Sequence, residues 1–404
     1  MKIRSITLFY DPTIDPHARI IPRLSQFASH ARDSLQLTGM EVQSLRLATA
    51  PFPLWSEARD GSALTGLAQE LESDAADSGF AYLSVGPALP EYPQSYTNIP
   101  AVLAGTQNIF FSGLLTTSAS QVSLSAVRAC ADIISSASTL SPDGFTNLRF
   151  SALANVPAGG PFFPAAYHRP GQPPACALAM ECADTVLEVF HSAKTLESAR
   201  NNLLGIFEAA SKEISSLLEP LCVEHRVNFN GFDFSPAPYP IDQCSLGGGI
   251  ESIGVNSVGY LGSISAAAFI ADTLDRGRWK KTGFNGLMLP VLEDSTLARR
   301  TTQGQLTVKD LLLFSTVCGT GLDTVPLPGD VTSEQIASLL LDIAVLSLRL
   351  DKPLTARLMP IPGKSISVRS MNVMATQAVR ATMEPTERSI PAVMMTISEP
   401  LVSA

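Results

Sequence analysis

The sequence predicts an α/β fold in a single large domain, and three observations support this. Apolar runs with strand periodicity alternate with Ala-rich amphipathic helices, which is typical of a mostly parallel sheet with crossover helices. The 404 residues are 45% hydrophobic and 16% charged, enough apolar material for a large core. No low-complexity linker separates the two halves of the sequence. We therefore expect one domain over residues 1–404, with its sheet closed into a barrel, although an open sheet would give the same periodicity.

The predicted elements follow one another in a regular order. Most strands are followed by a helix that ends near Gly or a polar turn. The predicted strands are 2–10, 41–49, 80–87, 109–117, 147–156, 227–235, 284–292 and 355–361. The predicted helices are 20–39, 61–79, 101–108, 121–139, 196–221, 264–274, 307–318 and 332–350. The last helix has a strong start signal, because Thr332 or Ser333 can cap its first turn.

Charge and hydropathy exclude several classes of protein. The net charge of -9 argues against general nucleic-acid binding, which needs a basic surface, but a local site for one small anion remains compatible with it. The first apolar run, ITLFY, is too short for a signal peptide, and later apolar runs are interrupted by Asp272 and Asp342. The six cysteines are too sparse for a disulfide scaffold. We expect a cytoplasmic protein with no nucleic-acid partner and no membrane segment.

Two loops rich in Pro and Gly, 156–174 and 235–254, interrupt the alternation. The first contains Phe162 and Phe163 and is too apolar for a solvated linker, so we expect it to fold over a pocket or into the mouth of the barrel. His168 lies at its centre. A histidine can act as general acid or base there because its ordinary pKa lies close to neutral pH. The alternative is a histidine that only fixes the loop by hydrogen bonds.

Asp233 and Ser235 stand at the end of the apolar strand 227–235. Catalytic groups in α/β sheets and barrels commonly lie at the carboxyl ends of strands. A desolvated acid there would be tuned for proton transfer, with the neighbouring serine available to bind substrate. The alternative is that Asp233 caps the loop through an Asx turn.

Two further segments are candidate anion sites. Gly262 and Ser263 open a helix whose N-terminal amides would favour an anion. Arg357 and Lys364 flank a Pro/Gly turn in ARLMPIPGK and would suit a carboxylate or phosphate, with two solvated charges as the alternative. The run GGGIESIG at 247–254 lacks the order of a phosphate-binding loop.

The stretch CGTGLDTVPLPGD, residues 318–330, joins a thiol and an acid to several Gly and Pro residues. Its glycines allow a sharp turn and its prolines stiffen the return, which predicts a rigid hairpin. Cys318 and Asp323 are therefore candidate catalytic residues. A helix C-terminus raises the pKa of a thiol, which argues against a simple nucleophile at Cys318.

Several of these motifs resemble a known family. AAYHRPG, FDFSPAP, GYLGSISAAA, CGTGLDTVPLPGD and ARLMPIPGK occur in the order and approximate spacing of the uncharacterised microbial family called domain of unknown function 711, or uncharacterised protein family 0210. The similarity runs from IRSITLFYDP to SIPAVMMTISEP, essentially the whole chain.

The resemblance implies a fold similar to pyruvate formate-lyase and the large ribonucleotide reductase subunit. That fold is a ten-stranded α/β barrel with a hairpin loop inserted into its centre. By analogy, the hairpin would be the segment of Cys318. The glycyl radical of those relatives does not carry over, because the last glycine is Gly363 and the radical requires a glycine in a short motif near the C-terminus.

Together these patterns predict an enzyme that binds a small anionic metabolite in the barrel and performs non-radical acid–base chemistry. His168 and Asp233 would transfer protons, and Cys318 and Asp323 would lie on the inserted hairpin. The predicted anion-binding residues are Ser235, Gly262, Ser263, Arg357 and Lys364. One alternative is a metabolite-binding regulatory protein without turnover. A second is a divalent-metal enzyme with His168, Asp233 and Asp323 as ligands. The size of the barrel favours a homodimer.

Overall fold

A nine-stranded mixed sheet organises the chain in the computed structural model, which describes residues 1–56, 61–118 and 120–363 and, beyond them, one short strand pair, Asn372–Val373 with Thr376–Gln377. The mixed α/β class predicted from the sequence is therefore confirmed. The nine strands are β1 (Lys2–Tyr10), β2 (Leu45–Thr49), β3 (Tyr82–Ala88), β4 (Ile109–Leu114), β5 (Phe150–Ala154), β6 (Ala175–Glu181), β7 (Asn228–Ala237), β8 (Gly321–Pro328) and β9 (Leu354–Ile361).

Helices cover one face of this sheet. The helices of the described ranges are α1 (His17–Gln36), α2 (Gly61–Asp77), α3 (Gln94–Thr97), α4 (Ile99–Gly105), α5 (Leu124–Ser138), α6 (Ala183–Ser192), α7 (Leu196–His225), α8 (Leu246–Ser252), α9 (Ser263–Asp275), α10 (Ser295–Thr302), α11 (Val308–Cys318) and α12 (Ser333–Leu350). The predicted start of α12 is confirmed, because the Thr332 hydroxyl accepts a hydrogen bond from Gln335 N at 3.3 Å. Across the described part of the chain, no helix is both long and apolar enough to cross a membrane.

The five central strands run in one direction, and the two strands on either side of them run in the opposite direction. Their order across the sheet is β7-β6-β1-β2-β3-β4-β5-β9-β8. Strands β1 to β5 are parallel to one another, while β6 is antiparallel to β1 and β9 is antiparallel to β5. The carboxyl ends of β6 and β7 therefore lie beside the amino ends of β1 and β2. This arrangement brings the start and the middle of the chain to one edge of the sheet.

The sheet ends at β7 on one side and at β8 on the other. The segment 280–292 reaches both ends: Lys281 forms an isolated parallel bridge with Phe232 of β7, and Pro290 forms another with Asp323 of β8. Two isolated bridges do not make a continuous ladder. The sheet is therefore open and has nine strands, whereas the family resemblance implied a closed barrel of ten.

Local backbone geometry explains why the predicted strand 284–292 is irregular. Asn285 has a left-handed φ of 44°, which breaks an extended run at its start. Pro290 has no N–H group to contribute to a ladder. The segment lies between the two edge strands, β7 and β8, but does not form a regular strand.

The prediction of a rigid hairpin at 318–330 is wrong. Cys318 is the last residue of α11, and the chain then enters β8, which pairs in parallel with β9. Strand β8 lies at the end of the sheet, where Pro326 and Pro328 are tolerated because an edge strand does not use every N–H group. Prolines that suggested a stiff turn thus belong to an edge strand.

The segment inserted against the sheet is instead the loop 157–174, between β5 and β6. It packs on the face opposite the helices, which we call the inner face and define by Thr7, Phe9, Ala48 and Ser84. Many inner-face side chains are small, which leaves room for the loop. The sequence predicted that this loop folds over a pocket or into the mouth of a barrel, and in the structure it folds back over the inner face of an open sheet.

Hydrogen bonds and apolar burial hold the loop in place. The Thr7 hydroxyl donates to the Pro161 carbonyl at 2.9 Å, and the Ser84 hydroxyl donates to the Ala166 carbonyl at 2.8 Å. Phe163 is 8% exposed and packs with the alanines of β2 and β6. Burial of a phenylalanine contributes about 2 kcal/mol. The loop thus forms one wall of the space that lies between the loop and the sheet.

Candidate functional site

A cavity of about 190 Å³ lies between the loop 157–174 and the inner face; we call it the interior cavity. Strands of both directions contribute to its wall, together with the segment 280–292. Its apolar and aromatic side chains include Tyr82, Phe110, Phe162, Phe163, Phe284 and Met288. Five charged side chains also line it: Arg4, Arg46, Glu293, Asp323 and Arg357. A small, largely apolar pocket with a few convergent charges is the usual form of a ligand site.

Four of these charges form a continuous network with Glu181. Arg4 donates from Nη2 to Oε2 of Glu293 at 2.6 Å and from Nη1 to Oε2 of Glu181 at 3.3 Å. Arg357 donates from Nη2 to Oε1 of Glu293 at 3.0 Å and from Nε to Oδ1 of Asp323 at 2.7 Å. Glu293 therefore bridges two guanidinium groups that belong to β1 and β9. These five residues and Arg46 are called the inner charge cluster below.

The carboxylate of Glu293 is ionised in this setting. Burial by itself would raise the pKa of Glu293, but the positive charges of Arg357, Arg4 and Arg46 outweigh burial and hold that pKa below its ordinary value. Burial by itself would lower the pKa of Arg357, but the negative charges of Asp323 and, second, Glu293 hold that pKa above its ordinary value. Glu293 and Arg357 are therefore both charged at neutral pH.

Arg46 differs from the other two arginines of the cluster. Its Nε donates to the Ser44 hydroxyl at 3.0 Å, and its guanidinium carbon lies 5.5 Å from the Tyr82 ring centre and 5.3 Å from that of Phe163. Among the described residues, no carboxylate lies within 4.0 Å of its guanidinium nitrogens. Burial first, and then the charge of Arg4, lower the pKa of Arg46 to about 9. Arg46 is thus a cation at neutral pH that faces a cavity without an acidic partner.

The structure places two of the predicted site residues in the interior cavity. Asp323 and Arg357 line the interior cavity and bond to each other. Sequence reasoning missed Arg4, Arg46 and Glu293. A signal was present, because Arg4, Arg46 and Arg357 each interrupt an otherwise apolar strand, which is unusual for arginine unless it is paired or functional.

Asp233 and Ser235 form a buried structural network beside the cavity wall. Asp233 accepts hydrogen bonds from the Ser235 hydroxyl at 2.6 Å and from the backbone amides of Ser235, Phe284 and Asn285 at 3.0, 2.7 and 3.0 Å. The Ser235 hydroxyl in turn accepts from Gly286 N at 3.0 Å. Burial raises the pKa of Asp233 above its ordinary value despite these bonds. Neither side chain lines the cavity, but together they fix the backbone of Phe284, which does.

His168 lies on the other side of the loop. It lines a separate cavity of about 490 Å³ with the exposed side chains of Arg169 and Lys280, which we call the outer cavity. Its backbone N–H donates to the Thr49 carbonyl at 2.9 Å, and its Nε2 lies 3.0 Å from the Gln172 carbonyl oxygen. The ring is buried, and burial lowers the pKa of His168. In this structure His168 anchors the loop and does not meet Asp233.

Three further candidates, Cys318, Gly262 and Ser263, line neither of these two cavities. Cys318 is 2% exposed, with its sulfur 3.5 Å from the Thr320 hydroxyl. Gly262 is the N-cap residue of α9, and the Ser263 hydroxyl donates to the Tyr260 carbonyl at 2.7 Å. Lys364 lies outside the described residues.

The proposed metal ligands His168, Asp233 and Asp323 have three different surroundings. His168 faces the outer cavity, Asp233 is enclosed by amide and hydroxyl donors, and Asp323 faces the interior cavity. Nowhere in residues 1–56, 61–118 and 120–363 do three His, Cys, Asp or Glu side chains gather at metal-binding distance. The structure does not bring these three residues together.

Comparison with known proteins places the chain in a family. A family model described as "Uncharacterised ACR (DUF711)" matches residues 1–367. The "UPF0210 protein" of Pyrobaculum arsenaticum is 28% identical over 375 residues, which cover 87% of this chain and 79% of that relative. A protein of the same name from Pyrobaculum islandicum is 28% identical over 403 residues, which cover 90% and 86% of the two chains. One from Oenococcus oeni is 24% identical over 368 residues, which cover 87% and 81%.

The family match extends over nearly all the described residues, from β1 to the end of β9. It includes every member of the inner charge cluster and both walls of the interior cavity. The resemblance predicted from the sequence motifs is confirmed, and the chain belongs to the DUF711 family, whose curated relatives carry the name UPF0210.

Proposed function

We propose that this protein binds a small organic anion in the interior cavity, with the acidic group of the ligand on Arg46. The observation that carries the proposal is the contrast between the three arginines. Arg4 and Arg357 are paired with carboxylates, whereas Arg46 has no acidic partner among the described residues. The half-buried guanidinium of Arg46, which makes no salt bridge with the described carboxylates, is therefore open to an acidic group of a ligand.

The geometry around Arg46 favours a carboxylate or a similar planar acidic group. Tyr82 and Phe163 lie near its guanidinium, and its Nε is already bonded to Ser44. The edge formed by Nη1 and Nη2 is left for a bidentate contact in the plane of the group. The aromatic lining supplies an apolar surface for the remainder of a small ligand.

Binding, and not turnover, is the function supported by these contacts. The proton carriers predicted from the sequence, His168 and Asp233, do not line the interior cavity. This favours the predicted alternative of a metabolite-binding protein. The cytoplasmic location and the homodimer remain predictions from the sequence.

The fold supports a related proposal. We propose that the sheet is an open form of the ten-stranded barrel of pyruvate formate-lyase, with the segment 280–292 in the place of the tenth strand. The support is that this segment bridges to both β7 and β8. The loop 157–174 would then correspond to the inserted loop, in place of the segment of Cys318.

Thermal unfolding with a panel of small carboxylates and phosphate esters tests the binding function. A ligand at 100 times its Kd should raise the Tm by about 3 °C for a chain of this size. The Arg46→Gln variant should lose this shift. Arg23→Gln, which removes an exposed arginine of α1, is the matched control and should keep it.

Two results would count against the proposal. One is a panel in which no compound changes the Tm of the wild-type protein. The other is a ligand that stabilises Arg46→Gln as much as it stabilises wild type.

A further inference from the structure

Asp323 has one carboxylate oxygen that its neighbours do not use. Its Oδ1 accepts the hydrogen bond from Arg357 Nε, while its Oδ2 accepts none from the described residues. Its side chain is 18% exposed, and it lines the interior cavity. Glu293, in contrast, uses both oxygens for arginines. Asp323 Oδ2 is therefore an acceptor open to a donor group of a ligand.

The charge balance of the site points in the same direction. The inner charge cluster contains three guanidinium groups, of Arg4, Arg46 and Arg357, and three carboxylates, of Glu181, Glu293 and Asp323. The cluster is thus neutral before a ligand enters. An anion alone would leave one negative charge in a poorly solvated space, whereas a ligand with both charges keeps the balance.

We infer that the ligand is a small zwitterion with an apolar group, the chemical class of an apolar amino acid. Its carboxylate would pair with Arg46, and its ammonium group would donate to Oδ2 of Asp323. Phe110, Phe162 and Met288 would contact its apolar part. This inference rests on the proposed binding function and specifies its ligand.

Calorimetric titration of the full chain with matched ligand pairs tests the inference. L-Phenylalanine is compared with 3-phenylpropionate, and L-leucine with 4-methylpentanoate, because each pair differs only by the ammonium group. In at least one pair the amino acid should bind at least about tenfold more tightly, since a hydrogen bond between an ammonium group and a carboxylate is stronger than one between neutral groups. The Asp323→Asn variant should remove this preference. Asp330→Asn, an exposed acid just beyond β8, should retain it.

The outcomes separate the two proposals. If the acids without an ammonium group bind wild type as tightly as the amino acids, the zwitterion inference is wrong and the anion-binding function stands. If no compound of either kind binds, both are wrong. The comparison of ligand pairs on wild type needs no variant, so a folding defect in Asp323→Asn would not obscure the result.

Discussion

Arg357 donates from Nε to Oδ1 of Asp323 at 2.7 Å, and this bond joins β9 to β8 at the wall of the interior cavity. The same guanidinium reaches Glu293, which is bonded in turn to Arg4 of β1. The side chains of these four residues are between 12% and 23% exposed, so their attraction is only partly screened by water. One ion network thus ties β8 and β9 to the first strand, β1.

Replacing Arg357 should destabilise the protein strongly. In Arg357→Gln, Glu293 keeps only Arg4 as a partner, and Asp323 loses its arginine. Breaking a largely buried ion pair from one side costs about 3–5 kcal/mol, because a desolvated charge is left behind. Urea unfolding should show a loss of about 3 kcal/mol, with Arg23→Gln as the control. A loss below about 1 kcal/mol, as for a surface pair, would contradict the structural role of the network.

Replacing Arg46 should have a different effect on the protein without ligand. No carboxylate loses a salt bridge in Arg46→Gln, and the cost of desolvating the half-buried guanidinium disappears. The cation–π contacts with Tyr82 and Phe163 are lost, at about 1 kcal/mol. We therefore expect an unfolding free energy within about 1 kcal/mol of wild type in urea. A loss as large as that of Arg357→Gln would mean that Arg46 has a structural acidic partner.

Asp233 should prove structural. Asp233→Asn turns one of its acceptor oxygens into a donor, which then faces backbone amides that also donate. A buried unsatisfied group costs about 1–3 kcal/mol, so we expect a loss of about 2 kcal/mol in urea unfolding. An unchanged stability would contradict the structural role of Asp233. The exposed Asp330→Asn serves as control.

His168 should make the stability depend on pH in the acid range. Burial holds its folded-state pKa below the ordinary value of 6.5, so the unfolded chain takes up a proton that the folded chain refuses. The stability contributed by neutral His168 is complete above pH 6.5, falls as pH drops below that value, and is fully lost below the folded pKa. His17 is shifted in the same direction, also by burial, and contributes a similar slope.

Urea unfolding between about pH 5 and pH 7.5 measures this dependence. In His168→Asn the slope should be smaller than in wild type, by up to about 1.4 kcal/mol per pH unit, while the part due to His17 remains. Since only the slope of the unfolding free energy against pH is compared, a loss of stability that is the same at every pH does not affect the result. A variant with the wild-type slope would show that His168 is not held neutral.

Much of the fold could be predicted because burial imposes a period on each strand and helix. Strands β1 to β5 alternate with helices of clear amphipathic pattern, and the α12 cap was readable from Thr332. The openness of the sheet could not be predicted, because closure depends on how 280–292 meets two distant edges. The stretch from Cys318 was wrongly predicted to be a hairpin, because the same spacing of prolines occurs in hairpins and in edge strands.

The site was only half predictable. Asp323 and Arg357 were predicted because each lies close to Gly or Pro residues, which indicate an unusual backbone conformation. Arg4 and Arg46 were missed because a charge near the start of a strand is usually solvated. Only the strand order, with β6 and β9 flanking the parallel block, shows that these arginines share one cavity.

The most direct test of the central claim is a crystal structure of the protein with the compound that gives the largest thermal shift. We predict ligand density in the interior cavity, with the acidic group on Nη1 and Nη2 of Arg46 and the apolar part against Phe110, Phe162 and Met288. Density in the outer cavity, near Arg169 and Lys280, or an interior cavity that contains only water, would contradict the claim.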